Sequence, residues 1–136
     1  MSLVIDASVA LSWFFADEAS AAAEAALDLV IRNGAVAPPL WRYEVANGLH
    51  SALRRQRIDA AYRDQALARL RDLPIKIDRD SDDHAWSTTV ALAARHGLTV
   101  YDAAYLELAQ RRRGKLASLD AALLRAAGAA DVPVVA

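Results

Sequence analysis

The clearest guide to the architecture is residues 99–120, TVYDAAYLELAQRRRGKLASLD. In the first half of this stretch, apolar residues recur at helical spacing as far as Ala109, which predicts a helix that begins at Thr99 or Tyr101. In the second half, residues 116–119 form a short apolar run that is typical of a buried strand and ends at an aspartate. A helix that leads into a strand is the building unit of an α/β fold with a mostly parallel sheet.

The rest of the chain shows the same alternation. Predicted strands lie at residues 3–5, 35–37, 75–77, 116–119 and 132–135. Further helices are predicted at residues 19–31, 41–52, 60–73 and 121–127, with one more that begins at Ser81 or Asp82 and stops at Gly97. Pro133 predicts that the last strand lies at an edge of the sheet, because proline has no N–H to donate to a neighbouring strand. We therefore predict an α/β sandwich that forms a single domain over residues 1–136.

Composition narrows the functional classes. The chain has 136 residues, with 16 basic and 17 acidic side chains and no cysteine. The lack of cysteine excludes a disulfide framework, an iron–sulfur cluster and a cysteine-ligated zinc site. The apolar runs are only a few residues long, too short to span a bilayer, and the first residues lack the basic start of a signal peptide. We therefore expect a cytoplasmic protein.

Four acidic residues occupy positions where a parallel sheet binds ligands. Asp6 and Asp120 directly follow predicted strands, which places them at the carboxyl edge of the sheet. Glu44 lies in the first turns of the helix after the second strand, and Asp102 lies at a helix start, where it could be only a cap. Carboxylates gathered at one edge would repel each other, and a hard divalent cation such as Mg²⁺ removes that repulsion.

Three polar side chains accompany these acids. Ser8 and Ser118 each lie two residues from one of the aspartates, and Asn47 lies about one helical turn after Glu44. Such groups can orient a carboxylate that binds a metal ion. They could equally cap a helix or satisfy the backbone.

Four segments together resemble a known family. They are LVIDAS at residues 3–8, EVAN at residues 44–47, YDAAYLELA at residues 101–109 and LASLD at residues 116–120. In this order they resemble the PIN-domain ribonucleases, specifically the VapC toxins of bacterial toxin–antitoxin pairs. YDAAYLELA is the most specific of the four, and the resemblance extends over essentially the whole chain.

The resemblance implies a fold, an activity and partners. The fold is a three-layer α/β/α sandwich with a five-stranded parallel sheet. The activity is that of an endoribonuclease toxin, which hydrolyses RNA phosphodiester bonds with Mg²⁺ or Mn²⁺. The implied partners are a second copy of the chain in a homodimer and a VapB-type antitoxin that covers the active site.

The resemblance also assigns residues to roles. The catalytic and metal-binding acids would be Asp6, Glu44, Asp102 and Asp120. The supporting polar residues would be Ser8, Asn47 and Ser118, the last at a position where the family often has threonine. Arginines are candidates for contacts to the RNA backbone, although they could simply be solvated residues on helix faces. These arginines are Arg54, Arg55, Arg57, Arg111, Arg112 and Arg113.

Two alternatives remain open from the sequence. The chain could keep the fold and bind a partner without cutting RNA, or it could be a nuclease that acts on DNA. A zinc enzyme is disfavoured, because the three histidines are not paired at the spacing of metal ligands.

Overall fold

The fold is built on a parallel sheet of four short strands, seen in a computed structural model that describes residues 1–135. The strands are β1 (Leu3–Ile5), β2 (Ala35–Ala37), β3 (Ile75–Ile77) and β4 (Lys115–Ala117), in the order β3-β2-β1-β4. The central strand β1 is aliphatic and buried throughout, as expected where both faces of a sheet are covered. The predicted α/β class is confirmed, and the last residue of the predicted domain lies outside the described residues.

Seven α-helices connect and cover the strands within residues 1–135. They are α1 (Ala7–Ser12), α2 (Ala21–Asn33), α3 (Leu40–Arg54), α4 (Ala60–Asp72), α5 (Val90–His96), α6 (Val100–Arg112) and α7 (Ala121–Ala129). Side-chain caps fix several helix starts, because Ser20, Asp59 and Thr99 each accept a hydrogen bond from a backbone N–H in the first turn. None of these helices is long and apolar enough to cross a bilayer.

The order of the strands places helices on both faces of the sheet. The chain moves outward from β1 to β2 and β3, and then returns past β1 to β4. Right-handed crossovers therefore put α2, α3 and α4 on one face and α5 and α6 on the other. The contacts of α1 with α2 and α3, and of α6 with α5 and α7, agree with this arrangement. The carboxyl ends of β1 and β4 consequently flank a topological switch point, where sheets of this kind bind ligands.

The predicted fifth strand is reduced to one bridge. Val134 pairs in parallel with Leu116 of β4, through hydrogen bonds of 2.9 Å to the Pro133 carbonyl and 3.0 Å from the Val135 N–H. Pro133 thus lies at the edge of the sheet, as predicted, but it has no N–H with which to extend the ladder. The count of five strands is therefore corrected to four strands and a bridge.

The predicted helix between Ser81 and Gly97 is broken into three pieces. A 3₁₀ helix at Arg79–His84 leads into a π-helical turn at Ala85–Thr89, and only then does α5 begin. The Ser81 hydroxyl donates to Asp78 at 2.8 Å, and Ser81 lies inside the 3₁₀ helix rather than at the start of an α-helix. Gly97 ends α5 in the left-handed conformation, as predicted for a residue just after a helix.

A polar cluster ties the end of β3 to the last turns of α6. Arg111 donates to Asp78 and to Glu107, with shortest distances of 2.7 Å each, and Arg112 donates to Asp78 at 2.9 Å. Burial raises the pKa of Asp78, but hydrogen bonds from Arg111, Arg112 and Ser81 outweigh it and hold the pKa well below its ordinary value. Asp78 is therefore charged, and this contact anchors the helix that carries Asp102.

Candidate active site

One cavity collects all four of the predicted acids. It has a volume of about 320 Å³ and lies at the carboxyl ends of the central strands. Its acidic lining residues are Asp6, Glu44, Asp102 and Asp120, and its polar ones include Ser8, Asn47 and Tyr105. Other cavities are larger, but the acids lie in this one, so we take it as the candidate site. Among residues 1–135, no lysine or arginine lines it.

Asp6 is fixed on both of its carboxylate oxygens. Its Oδ1 accepts hydrogen bonds from the Ser8 hydroxyl at 2.7 Å and from the Val9 N–H at 3.0 Å, so Asp6 also caps α1. Its Oδ2 accepts from the Ser118 hydroxyl at 2.5 Å. The indole of Trp41 donates to the Asp6 carbonyl at 3.3 Å. The buried carboxylate is held in this way by α1 and by the loop after β4, and α3 holds the backbone of the same residue.

Both serines are linked to the backbone at the end of β4. The Leu119 N–H donates to the Ser8 hydroxyl at 2.9 Å, and the Asp120 N–H donates to the Ser118 hydroxyl at 3.0 Å. Ser8 and Ser118 thus join the first turn of α1 to the loop that follows β4. Asn47 also lines the cavity, from the exposed side of α3.

The other three acids approach from separate helices. Glu44 lies on α3 and accepts a hydrogen bond at 2.5 Å from the hydroxyl of Tyr105 on α6. Asp102 lies in the first turn of α6, where Thr99 is the cap, so the alternative that Asp102 is only a cap loses its basis. Asp120 accepts from the Leu123 N–H at 2.9 Å and therefore caps α7 while it lines the cavity.

The electrostatics reflect like charges in a confined space. Burial raises the pKa of Asp6, Glu44 and Asp102 above their ordinary values, and the charge of a neighbouring carboxylate adds to the rise in each case. At Asp6, hydrogen bonds from Ser118 and Ser8 act in the opposite direction. Carboxylates with raised pKa values in one cavity are typical of a functional site.

The four acids line the same cavity, but their carboxylate oxygens are not close enough to coordinate one ion together. Within residues 1–135, no three acidic or histidine side chains stand in an arrangement that would hold one ion directly. The oxygens of Asp6 and Glu44 are turned toward hydroxyl groups of the protein. The donors themselves suit a hard divalent cation, which prefers carboxylate oxygen.

The six predicted arginines are divided by the structure, and none lines the cavity in the part of the chain that is described. Arg111 and Arg112 are committed to Asp78, as described above. Arg57 pairs with Asp17 at 2.9 Å and lies 4.6 Å from the centre of the Phe15 ring. The remaining three are exposed: Arg54, Arg55 and Arg113.

Tyr105 is the functional candidate that the sequence analysis did not single out. It lies three residues after Asp102, and side chains at that separation lie on the same face of a helix. This spacing was available in the sequence. The partner of the hydroxyl was not, because Glu44 lies 61 residues away in the chain.

Comparison with known proteins identifies the class that this fold and site define. The sequence model of the PIN domain matches residues 3–129. The chain therefore belongs to the PIN-domain family, and the resemblance found in the sequence is confirmed.

Individual relatives agree with this assignment. Ribonuclease VapC3 of Pyrobaculum aerophilum is 35% identical over 120 residues, which cover 88% of this chain and 90% of that protein. The crystal structure of PAE2754 from the same organism superposes with a TM-score of 0.68 at 25% identity, over 93% of this chain and 86% of that one. VapC20 of Mycobacterium tuberculosis, described as a sarcin-ricin loop cleaving toxin, superposes with a TM-score of 0.62 over 92% of this chain and 95% of its own; at 16% identity it supports the fold alone.

Proposed function

We propose that this chain is a VapC-type endoribonuclease toxin that hydrolyses phosphodiester bonds in RNA with the help of Mg²⁺ or Mn²⁺. The observation that carries the proposal is that four carboxylates from four separate elements line one cavity. Carboxylates that lie close together repel each other, so gathering four of them in one cavity does not help the chain to fold. The sequence relative named Ribonuclease VapC3 supports the same activity.

The cation would be held by Asp6, Glu44, Asp102 and Asp120. The fit rests on the donor set, since carboxylate oxygens predominate in the cavity and no basic side chain among the described residues competes for them. When bound, a divalent cation would supply Lewis-acid chemistry, acidifying water and offsetting negative charge on a phosphate. Glu44 would turn one oxygen toward it, and Asp102 and Asp120 would complete the negative lining.

The residues of the chain supply position and orientation. Asp6 is held on both oxygens, by Ser8 and Ser118, and so keeps its place when other groups move. Asn47 offers an exposed amide beside the cavity, suited to donate to an oxygen of the substrate. The exposed guanidinium groups of Arg54, Arg55 and Arg113 are the candidates for contacts to the RNA backbone.

An RNA cleavage assay tests the proposed activity. The wild type should cleave RNA in Mg²⁺ or Mn²⁺, and Asp6→Asn should reduce the rate by roughly 100-fold or more, because it would weaken the hold on the cation that offsets transition-state charge. Asp28→Asn, an exposed aspartate on α2, is the matched control and should leave the rate unchanged. Cleavage that survives Asp6→Asn or excess chelator would contradict the mechanism.

The same assay decides between the open alternatives. Parallel reactions with single-stranded DNA distinguish an RNA-specific enzyme from a DNA nuclease. A folded wild type that cleaves neither polymer under any divalent metal would support the idle binding module instead.

We also propose a VapB-type antitoxin and a homodimer as the assembly in which the activity is controlled. The VapC name of the sequence relative supports the antitoxin, and the homodimer is what the family resemblance implies. Expression of the chain in a bacterial cytoplasm should arrest growth, and co-expression of the small protein encoded beside it should restore growth. Light scattering of the purified chain measures the dimer directly.

A further inference from the structure

Tyr105 reaches across the cavity from one helical layer to the other. The side chain is 1% exposed, and its hydroxyl donates to Oε1 of Glu44 at 2.5 Å. Tyr105 belongs to α6 and Glu44 to α3, which lie on opposite faces of the sheet. Among the described residues, this is the one side-chain hydrogen bond recorded for the Glu44 carboxylate.

The direction of the contact follows from the two groups that make it. A phenolic hydroxyl can donate a hydrogen bond, whereas an ionised carboxylate can only accept one, so Tyr105 is the donor and Glu44 the acceptor. Because the hydroxyl holds only Oε1, the second carboxylate oxygen is left available to a cation.

We propose that Tyr105 is a positioning residue for the metal site, acting through Glu44. Its hydroxyl holds Oε1 and so restricts a side chain that otherwise rotates about three bonds, leaving Oε2 to face a divalent ion. Hydrogen bonds to the ligands of a metal ion commonly change its affinity by about 10–100-fold. The inference rests on the proposed function, because it assigns Glu44 as a ligand.

The test is Mn²⁺ binding by the purified chain, measured by calorimetry and by the electron paramagnetic resonance of free Mn²⁺. Tyr105→Phe removes one oxygen and keeps the volume of the ring, and it should weaken Mn²⁺ binding about tenfold. The matched control is Tyr62→Phe, which removes a hydroxyl that donates to the Phe14 carbonyl away from the cavity and should leave Mn²⁺ affinity unchanged. Equal or tighter binding by Tyr105→Phe would overturn the proposal.

A double-mutant cycle shows whether Tyr105 acts through Glu44. In a Glu44→Ala background, which itself weakens binding and leaves the hydroxyl no side-chain acceptor at this position, adding Tyr105→Phe should cause no further loss. An equal loss in both backgrounds would mean that Tyr105 acts independently of Glu44, which contradicts the proposal.

A structure of the wild type grown with Mn²⁺ gives a test that needs no variant to fold. Oε1 of Glu44 should remain on the Tyr105 hydroxyl while Oε2 contacts the ion, and a Glu44 turned fully away from Tyr105 would overturn the inference. If Mn²⁺ binds at the cavity and Tyr105→Phe has the same Mn²⁺ affinity as the wild type, only this inference is refuted. A wild type that binds no Mn²⁺ at the cavity refutes the proposed function together with it.

Discussion

Asp6 and Asp102 show how two acids of the same type reach one cavity by different local routes. Asp6 caps α1 and accepts hydrogen bonds on both oxygens, so its burial is compensated. Asp102 lies one turn inside α6, where Thr99 performs the capping. Its proximity to Asp120 raises its pKa beyond the effect of burial. In the protein without a cation, the charge of Asp102 is therefore a cost to folding.

Removing that charge should stabilise the protein in the absence of metal. Because the folded pKa of Asp102 is raised, its contribution to stability is present below the unfolded value of 3.8 and is lost as the pH rises through the folded pKa. Asp102→Asn should therefore raise the melting temperature by a few degrees at neutral pH and leave it unchanged below pH 3.8. Thermal unfolding in chelator measures both, and a clear drop at neutral pH would mean that Asp102 supports the helix after all.

Residue types were predicted from the sequence more completely than residue partners. The four acids could be found because each directly follows a strand or lies in the first two turns of a helix, and such positions can be recognised locally. The contact of Arg111 with Asp78 could not be found, since Asp78 lies 33 residues away. The Tyr105–Glu44 contact was missed for the same reason, because its two residues are 61 positions apart. The pair of Arg111 with Glu107 could have been found, because the two residues are four apart on one helix.

At the scale of elements, helix ends were predicted best where a side chain caps them. Thr99 begins α6 as expected, and Gly97 ends α5. The long helix predicted before Gly97 failed because Ser81 is bound to Asp78, and because residues 87–90 are polar or β-branched and favour a helix only weakly. A tertiary contact there outweighs the local pattern.

The junction of α6 and β4 depends on the absence of a side chain at Gly114. A Cβ at this position would press against the carbonyl oxygen of Ser2, which accepts a hydrogen bond from the Lys115 N–H at 2.8 Å. Gly114→Ala should therefore destabilise the fold by about 2 kcal/mol, because the backbone of the central sheet must shift.

Gly128 offers the matched control for that substitution. It lies inside α7, and nothing would contact an added Cβ within 4 Å. Gly128→Ala should stabilise the protein by up to about 1 kcal/mol, since alanine favours a helix more than glycine does. Denaturant unfolding compares the two, and equal effects of the same sign would contradict the role given to Gly114.

For the whole molecule, a bound cation should act as a folding ligand. The unfolded chain does not gather the four carboxylates, so Mn²⁺ at 100 times its dissociation constant should add about 2.7 kcal/mol to the free energy of unfolding. Excess chelator should reverse the gain, and Asp6→Asn should abolish most of it, whereas Asp28→Asn should retain it. Thermal unfolding with and without Mn²⁺ measures the difference, and an identical gain in Asp6→Asn would place the ion elsewhere.

The overall architecture could be predicted because its signals are repeated along the chain. Four of the five expected strands were found, and the helices α2, α3, α4, α6 and α7 lie where apolar spacing indicated them. Besides the broken helix before Gly97, two short elements were missed or overestimated: α1 has only six residues, and the pairing of Val134 is a single bridge. Elements of that size are specified by contacts made elsewhere in the fold, which periodicity does not reveal.

The hydrogen bond between Asp6 and Ser118 joins residues that are 112 positions apart. During translation Asp6 leaves the ribosome before Ser118, so its carboxylate lacks this donor until the 112 positions between them have been made. A nascent chain that stops before β4 would therefore hold Asp6 less firmly, and the proposed nuclease would gain its ordered site only after that strand has been synthesised.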